Sequence, residues 1–241
     1  MMPSSALLKF SERLREVDLL LNLCSGPESP VDEQKKAAPK DNAILRAALV
    51  LLCSHIEGFF EDLISEALFV YVKIASEIDH IPIEILSCQV IGKTERWSSC
   101  DSVRRWEIFK ECVRHPLVTK DKAKVFSSID PEIHTKGFSN PGTGEIETLF
   151  KSVGILSVWD NFSKLESSRV IKGCVDAIVN RRNQIAHGQM DSTVTRTDVE
   201  SYMKNIRRLV EVMDLIVKND ICTRLSVSDP WALADNWIGN K

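Results

Sequence analysis

The sequence predicts an all-α protein built round one long central helix. Two observations carry that expectation. Apolar residues recur at three- and four-residue spacing in several long stretches, the period that gathers side chains on one face of an α-helix. No alternation of apolar and polar residues runs long enough for a strand. The pattern gives a single domain, 1–241, with core helices at about 4–23, 43–78, 168–187 and 197–219. An insertion of irregular and short helical pieces fills 79–160, and a C-terminal extension covers 222–241.

The first helix places Leu7, Phe10, Leu14, Val17 and Leu21 on one face. Ser25-Gly-Pro-Glu-Ser-Pro30 ends it, and the charged stretch to Pro39-Lys40 reads as a surface linker. Asp41 or Asn42 then caps the second helix, which is apolar on most sides: Leu45, Leu49, Leu52, Ile56, Phe59, Phe60, Leu63, Leu68. Glu57 is the exception, in register with Val50, Cys53, Phe60 and Ile64. A carboxylate among apolar neighbours needs a partner, and Glu57 is expected near Arg182, orienting its guanidinium. The alternative is a Glu57 that pairs elsewhere or reaches the helix edge. His55 reads as a surface or hydrogen-bonded core histidine.

Pro82, a Gly92-Lys93-Thr94 turn, Pro116, Pro131 and Pro141 divide the insertion. Val103–Val113 and Thr119–Ser128 are expected as short helices. Arg104, Arg105, Lys110 and Arg114 cluster beside Trp97 and Trp106. Two readings are open there: an RNA-backbone contact with an aromatic platform, or a solvated helix face over a buried tryptophan. His115 and His134 sit in loop-like sequence with no visible partner. Ser139-Asn-Pro-Gly-Thr-Gly144 is a turn cluster before a short helix, Glu145–Lys151. Near the C-terminus, Thr197-Asp-Val-Glu200 reads as a capping box opening the last helix. Trp231 and Trp237 suggest that the tail docks on the body or on a second chain.

Residues 168–188 hold the candidate chemistry. Ile171, Val175 and Ile178 share one face, and the same stripe continues to Arg182 and Ile185. An arginine on a core-facing stripe has to be paired or line a cleft. His187 follows five residues later, and Gly188 suits the position past a helix end. The macrodipole there favours a protonated imidazole. Read from these residues alone, the pair is a buried ion pair with a helix-end histidine, or a site that faces an anion.

Bulk properties exclude several classes. The net charge of −3 argues against a general nucleic-acid coat while leaving room for a local basic cleft. Seven scattered cysteines without a Cys-x-x-Cys pair indicate a reducing compartment, so the cytoplasm is expected. Cys53 and Cys174 read as core thiols. No metal-ligand spacing, phosphate-binding loop or nucleophile elbow is present, so no metal and no cofactor are expected. The N-terminus does not read as a signal peptide. The longest apolar run, Ala47–Cys53, is too short to span a bilayer, so no membrane partner is expected.

Arg182-Asn183-Gln184-Ile185-Ala186-His187 matches the R-x(4–6)-H motif of HEPN-domain ribonucleases, and the string through Gly188 resembles the RiboL-PSP type. Ser54-His55-Ile56-Glu57-Gly58-Phe59-Phe60 is similar to that subgroup's Ser-His-x-Glu-Gly-aromatic pattern. Asn140-Pro141-Gly142, leading to Ile146, Leu149-Phe150 and Gly154-Ile155, forms a third similar stretch. The resemblance covers about residues 41–218. It implies a HEPN-like bundle that forms a homodimer through the Arg182/His187 helix, and metal-independent RNA cleavage by attack of the 2′-hydroxyl. In many members it implies loss of catalysis instead. The catalytic candidates are Arg182, His187 and Asn183, with Glu57 supporting them. Arg181, Arg104 and Arg105 are RNA-binding candidates. A toxin or antiviral effector acting on RNA is implied, with an antitoxin or defence-system partner. The alternative is a non-catalytic RNA-binding or scaffold module. Some family toxins carry a tyrosine two residues after the histidine, which a partner nucleotidyltransferase modifies; Gln189 stands there in this chain.

Overall fold

A computed structural model describes residues 2–25, 31–94, 101–113, 129–189 and 193–232. The described residues form α-helices with no strand: α1 Ser5–Asn22, α2 Val31–Ile74, α3 Ile83–Thr94, α4 Ser102–Val113, α5 Glu132–Thr135, α6 Thr143–Ser152, α7 Val158–Leu165, α8 Ser168–Ala186 and α9 Arg196–Leu225. A 3-10 turn at Ile78–His80 joins α2 to α3.

Helix α2 is the hub because it is apolar on several faces, and α1, α8 and α9 all pack on it. Phe59 meets Phe10 of α1 edge-on at 5.6 Å, and Phe60 meets Phe150 of α6 at 5.8 Å and Phe138 at 6.1 Å. Each buried aromatic contributes about 1.5–3 kcal/mol by leaving water. By length and composition, residues Ala38–Ile74 could cross a membrane, which the shorter run Ala47–Cys53 does not suggest. Half of its most apolar window is buried within the bundle, as a core helix requires.

Helix α2 begins at Val31 rather than near residue 43, so the expected linker is helical through Pro39. An interior proline removes one helical N–H and crowds the carbonyl four residues back, at a cost of about 3 kcal/mol, yet the helix runs on through Pro39. Asp41 therefore caps nothing on α2; its Oδ2 accepts the Ser25 N–H at 3.2 Å and ties the end of α1 to it. The N-terminus of α1 is closed by Ser4 Oγ, which accepts the Leu7 N–H, and by the buried Glu66 carboxylate, which accepts the Ser5 and Ala6 N–H groups. An anion there satisfies orphan donors and the helix dipole together.

Several local expectations shift. Gly92-Lys93-Thr94 lies inside α3, not in a turn. The capping box of α9 forms two residues earlier: Thr195 Oγ1 accepts the Asp198 N–H, and Asp198 Oδ2 accepts the Thr195 N–H. Glu200 instead pairs with Arg196 one turn away. His134 is buried against Gln89 Nε2 and Ser152 Oγ, each at 3.2 Å, rather than lying partnerless in a loop. His55 is a buried histidine with Nε2 3.2 Å from Glu16 Oε2. Trp106 is 58% exposed, not buried. The tail docks on the body: Trp231 is fully buried, and Asp229 pairs with Lys218 at 2.8 Å. The expected helix Thr119–Ser128, together with Trp97, Arg114, His115 and Trp237, falls outside the described residues.

Candidate functional site

Helix α8 buries Ile171, Cys174, Val175 and Ile178. The stripe then reaches Arg182, which is half-buried, as the spacing requires. Its guanidinium is held by amides. Nη1 donates to Asn140 Oδ1 at 2.7 Å and to Asn183 Oδ1 at 3.1 Å. These two bonds use both Nη1 hydrogens. Nε and Nη2 make no hydrogen bond among the described residues.

Glu57 does not form the expected ion pair with Arg182 among the described residues. Both groups instead act on the Cys53 thiol. Burial pushes that thiol up to about 11, while Arg182 draws it down and Glu57 adds to the rise. The periodicity places the two charges correctly on their helices. It cannot show that a loop from elsewhere reaches the guanidinium first.

That loop is residues 138–142. Asn140 adopts φ 56°, the left-handed region that Asn tolerates better than most residues. The loop is fastened to α8 by Asp176, which accepts the Thr143 N–H at 3.0 Å and the Thr143 hydroxyl at 3.1 Å. Trp159 Nε1 donates to the Thr143 carbonyl at 3.0 Å. From sequence, Asn140 reads as a turn residue. Its place in a stretch resembling the family pattern was the available signal that it does more.

His187 caps α8 and is exposed. Its N–H donates to the Asn183 carbonyl at 2.9 Å. Gly188 follows with φ 75°, the expected conformation just past the helix. Gln189 closes the turn, its N–H on the Gln184 carbonyl at 3.0 Å, and its own carbonyl accepts from Arg46 Nη1 at 3.0 Å. Arg46 of α2 thus fixes the segment just after the imidazole, a role no sequence signal marked. The Asn183 amide oxygen faces Arg182, so this side chain orients the guanidinium rather than the imidazole.

Arg181 points away from this arrangement. It pairs with Asp198 at 2.9 Å and stacks on Tyr202, 5.8 Å from the ring centroid. Burial pushes the Asp198 carboxyl up, but hydrogen bonds from Thr195 and Arg181 hold it below its ordinary value overall. Arg104 and Arg105 are exposed on α4, which packs on α3 rather than α8. Two hollows lie elsewhere among the described residues. One of about 710 Å³ is lined by Glu166, Lys204 and Arg207, and another of about 1010 Å³ by Asp41, Asn42 and Arg196. Neither is lined by Arg182 or His187; His187 stands exposed at the C-terminal end of α8. No group of three or more His, Cys, Asp or Glu among the described residues is arranged to hold a metal ion.

Residues 9–219 match the model of the family described as RiboL-PSP-HEPN. No curated protein and no solved structure matches the chain.

Proposed function

Because the chain belongs to the RiboL-PSP-HEPN family, we propose that it is a metal-independent endoribonuclease that dimerises through α8. The observation that carries this reading is Arg182, a half-buried cation held among the described residues by neutral amides and close in sequence to an exposed His187. A guanidinium held in this way presents donors and charge to a phosphate.

In the dimer, two His187 side chains share the proton transfers. One imidazole takes the proton of the RNA 2′-hydroxyl, and the 2′-oxygen bonds to the adjacent phosphorus. The P–O5′ bond breaks, and the second imidazole, protonated, gives its proton to the departing 5′-oxygen. The products are a 2′,3′-cyclic phosphate and a 5′-hydroxyl. Histidine suits both roles because its pKa lies near working pH. Arg182 stabilises charge developing on the phosphoryl oxygens. On this reading the protein acts in the cytoplasm on cellular or invading RNA, with an antitoxin or defence-system partner restraining it.

A second reading, a non-catalytic HEPN module that binds RNA or scaffolds a complex, is favoured by the Asp198 ion pair that occupies Arg181. The deciding assay is RNA cleavage in EDTA by wild type, Arg182→Ala and His187→Ala, with product ends analysed. Cyclic-phosphate ends from wild type alone, with each variant at least about a hundredfold slower and still folded, support the nuclease. RNA binding without products, unchanged by His187→Ala, supports the module.

A further inference from the structure

We infer that Asn140 is the positioning residue of Arg182, and that its being an amide rather than an acid is what leaves the guanidinium's charge without an offsetting carboxylate at that position, available to a phosphate. The phosphate rests on the nuclease reading; the way the arginine is held rests on geometry alone.

Carboxylates hold many other arginines in this fold. Arg13 meets Asp62, Arg181 meets Asp198, Arg196 meets Glu200, Arg208 meets Glu166 and Arg224 meets Asp220. Each such pair offsets the cation's charge toward any other anion. Arg182 receives two amide oxygens instead, at 2.7 and 3.1 Å. An amide oxygen fixes orientation and carries no net charge. The nearby carboxylate, Glu57, forms no ion pair with it among the described residues.

Backbone conformation does not explain an Asn at this position. The φ of 56° at residue 140 admits Asn, Asp and Gly. Aspartate has almost the same shape and would place a carboxylate oxygen where Oδ1 now accepts. The difference between the two is therefore a negative charge at residue 140, beside an arginine that stays protonated in both. The Asp176–Thr143 bonds and the Trp159–Thr143 bond lock the loop, so the amide is held in place by α8 itself and by α7.

The same backbone tolerance supplies the variants. Asn140→Gly removes the amide and keeps the turn; Asn140→Asp keeps the acceptor and adds the charge. Two measurements decide, with folding checked by circular dichroism. The first is guanidinium rotation of Arg182, read by side-chain ¹⁵N NMR and assigned with Arg182→Lys. Rotation is expected to be slow in wild type and Asn140→Asp and fast in Asn140→Gly. Equal rotation in wild type and Asn140→Gly overturns the positioning role, whatever the protein does to RNA. The second is binding of a 2′-O-methyl RNA 12-mer, followed by fluorescence anisotropy across a KCl series. Asn140→Asp is expected to bind about tenfold more weakly and to lose about 0.7 of the salt slope per phosphate contact, while Asn140→Gly keeps the slope. An unchanged affinity and slope in Asn140→Asp overturns the charge argument. Failure of the wild type to bind the oligonucleotide overturns the nuclease reading, and with it the phosphate half of this inference, while the NMR arm still decides the role of Asn140.

Discussion

Replacing Asp176 with alanine tests whether α8 holds the loop that carries Asn140. Helix α6 starts after Gly142, which has no side chain to cap it. Asp176 supplies the cap from another helix, accepting the Thr143 N–H at 3.0 Å and the Thr143 hydroxyl at 3.1 Å. Hydrogen bonds to a charged group contribute about 1.5–3 kcal/mol each when buried. Both residues are half-buried, so water replaces part of what is lost. About 1 kcal/mol per bond, and about 2 kcal/mol in all, is the expected loss. For a chain of this size, that lowers Tm by about 4–8 °C. Urea denaturation should show a lower midpoint with an unchanged m-value. Thr143→Val removes the hydroxyl bond alone and should cost about half as much. The double variant should lose less than the two singles summed, since they share that bond. Additive singles, or an Asp176→Ala midpoint equal to wild type, would refute the clamp. RNA cleavage by Asp176→Ala should fall further than its folded fraction explains, because Asn140 is released from Arg182.

Two further outcomes follow from the same geometry. Gly154 has φ 86°, and a Cβ built there lies 2.5 Å from Pro82 Cβ; Gly154→Ala is expected to cost about 2–5 kcal/mol, from left-handed strain and overlap together. Equal denaturation midpoints for Gly154→Ala and wild type would contradict this. Burial holds His55 and His134 below the ordinary imidazole value, against the opposing pull of Glu16 and Asp130. A depressed folded pKa means the unfolded chain takes up protons first. The contribution is therefore full above the unfolded value of about 6.5 and is lost as pH falls through the folded values. Urea midpoints measured from pH 8 to pH 5 should decline on that account, and a His55→Gln, His134→Gln variant should give a flatter profile. Identical slopes would show that neither imidazole titrates on unfolding.

The sequence by itself determined the elements whose cause is local. The 3.6-residue period of Phe10, Leu14, Val17 and Leu21 places α1, and Ile171, Val175 and Ile178 place α8 and put Arg182 on its buried stripe. Gly188 marked the end of α8 because its conformation, φ 75°, is one that glycine adopts freely. What partners those residues find was not legible, because it depends on which loop reaches which helix. Glu57 and Arg182 are both charges on apolar faces, yet Asn140, arriving from 42 residues before Arg182, takes the guanidinium. Thr195 and Asp198 cap α9 in place of the expected Thr197 and Glu200 pair, and Asp198 also receives Arg181 from α8. Pro39 lies inside α2 rather than ending a linker, and the Asp41–Ser25 bond ties the next turn to the end of α1. Periodicity is written in the spacing of neighbours along the chain. Pairing across the chain is settled only when packing brings distant groups within about 3 Å of one another.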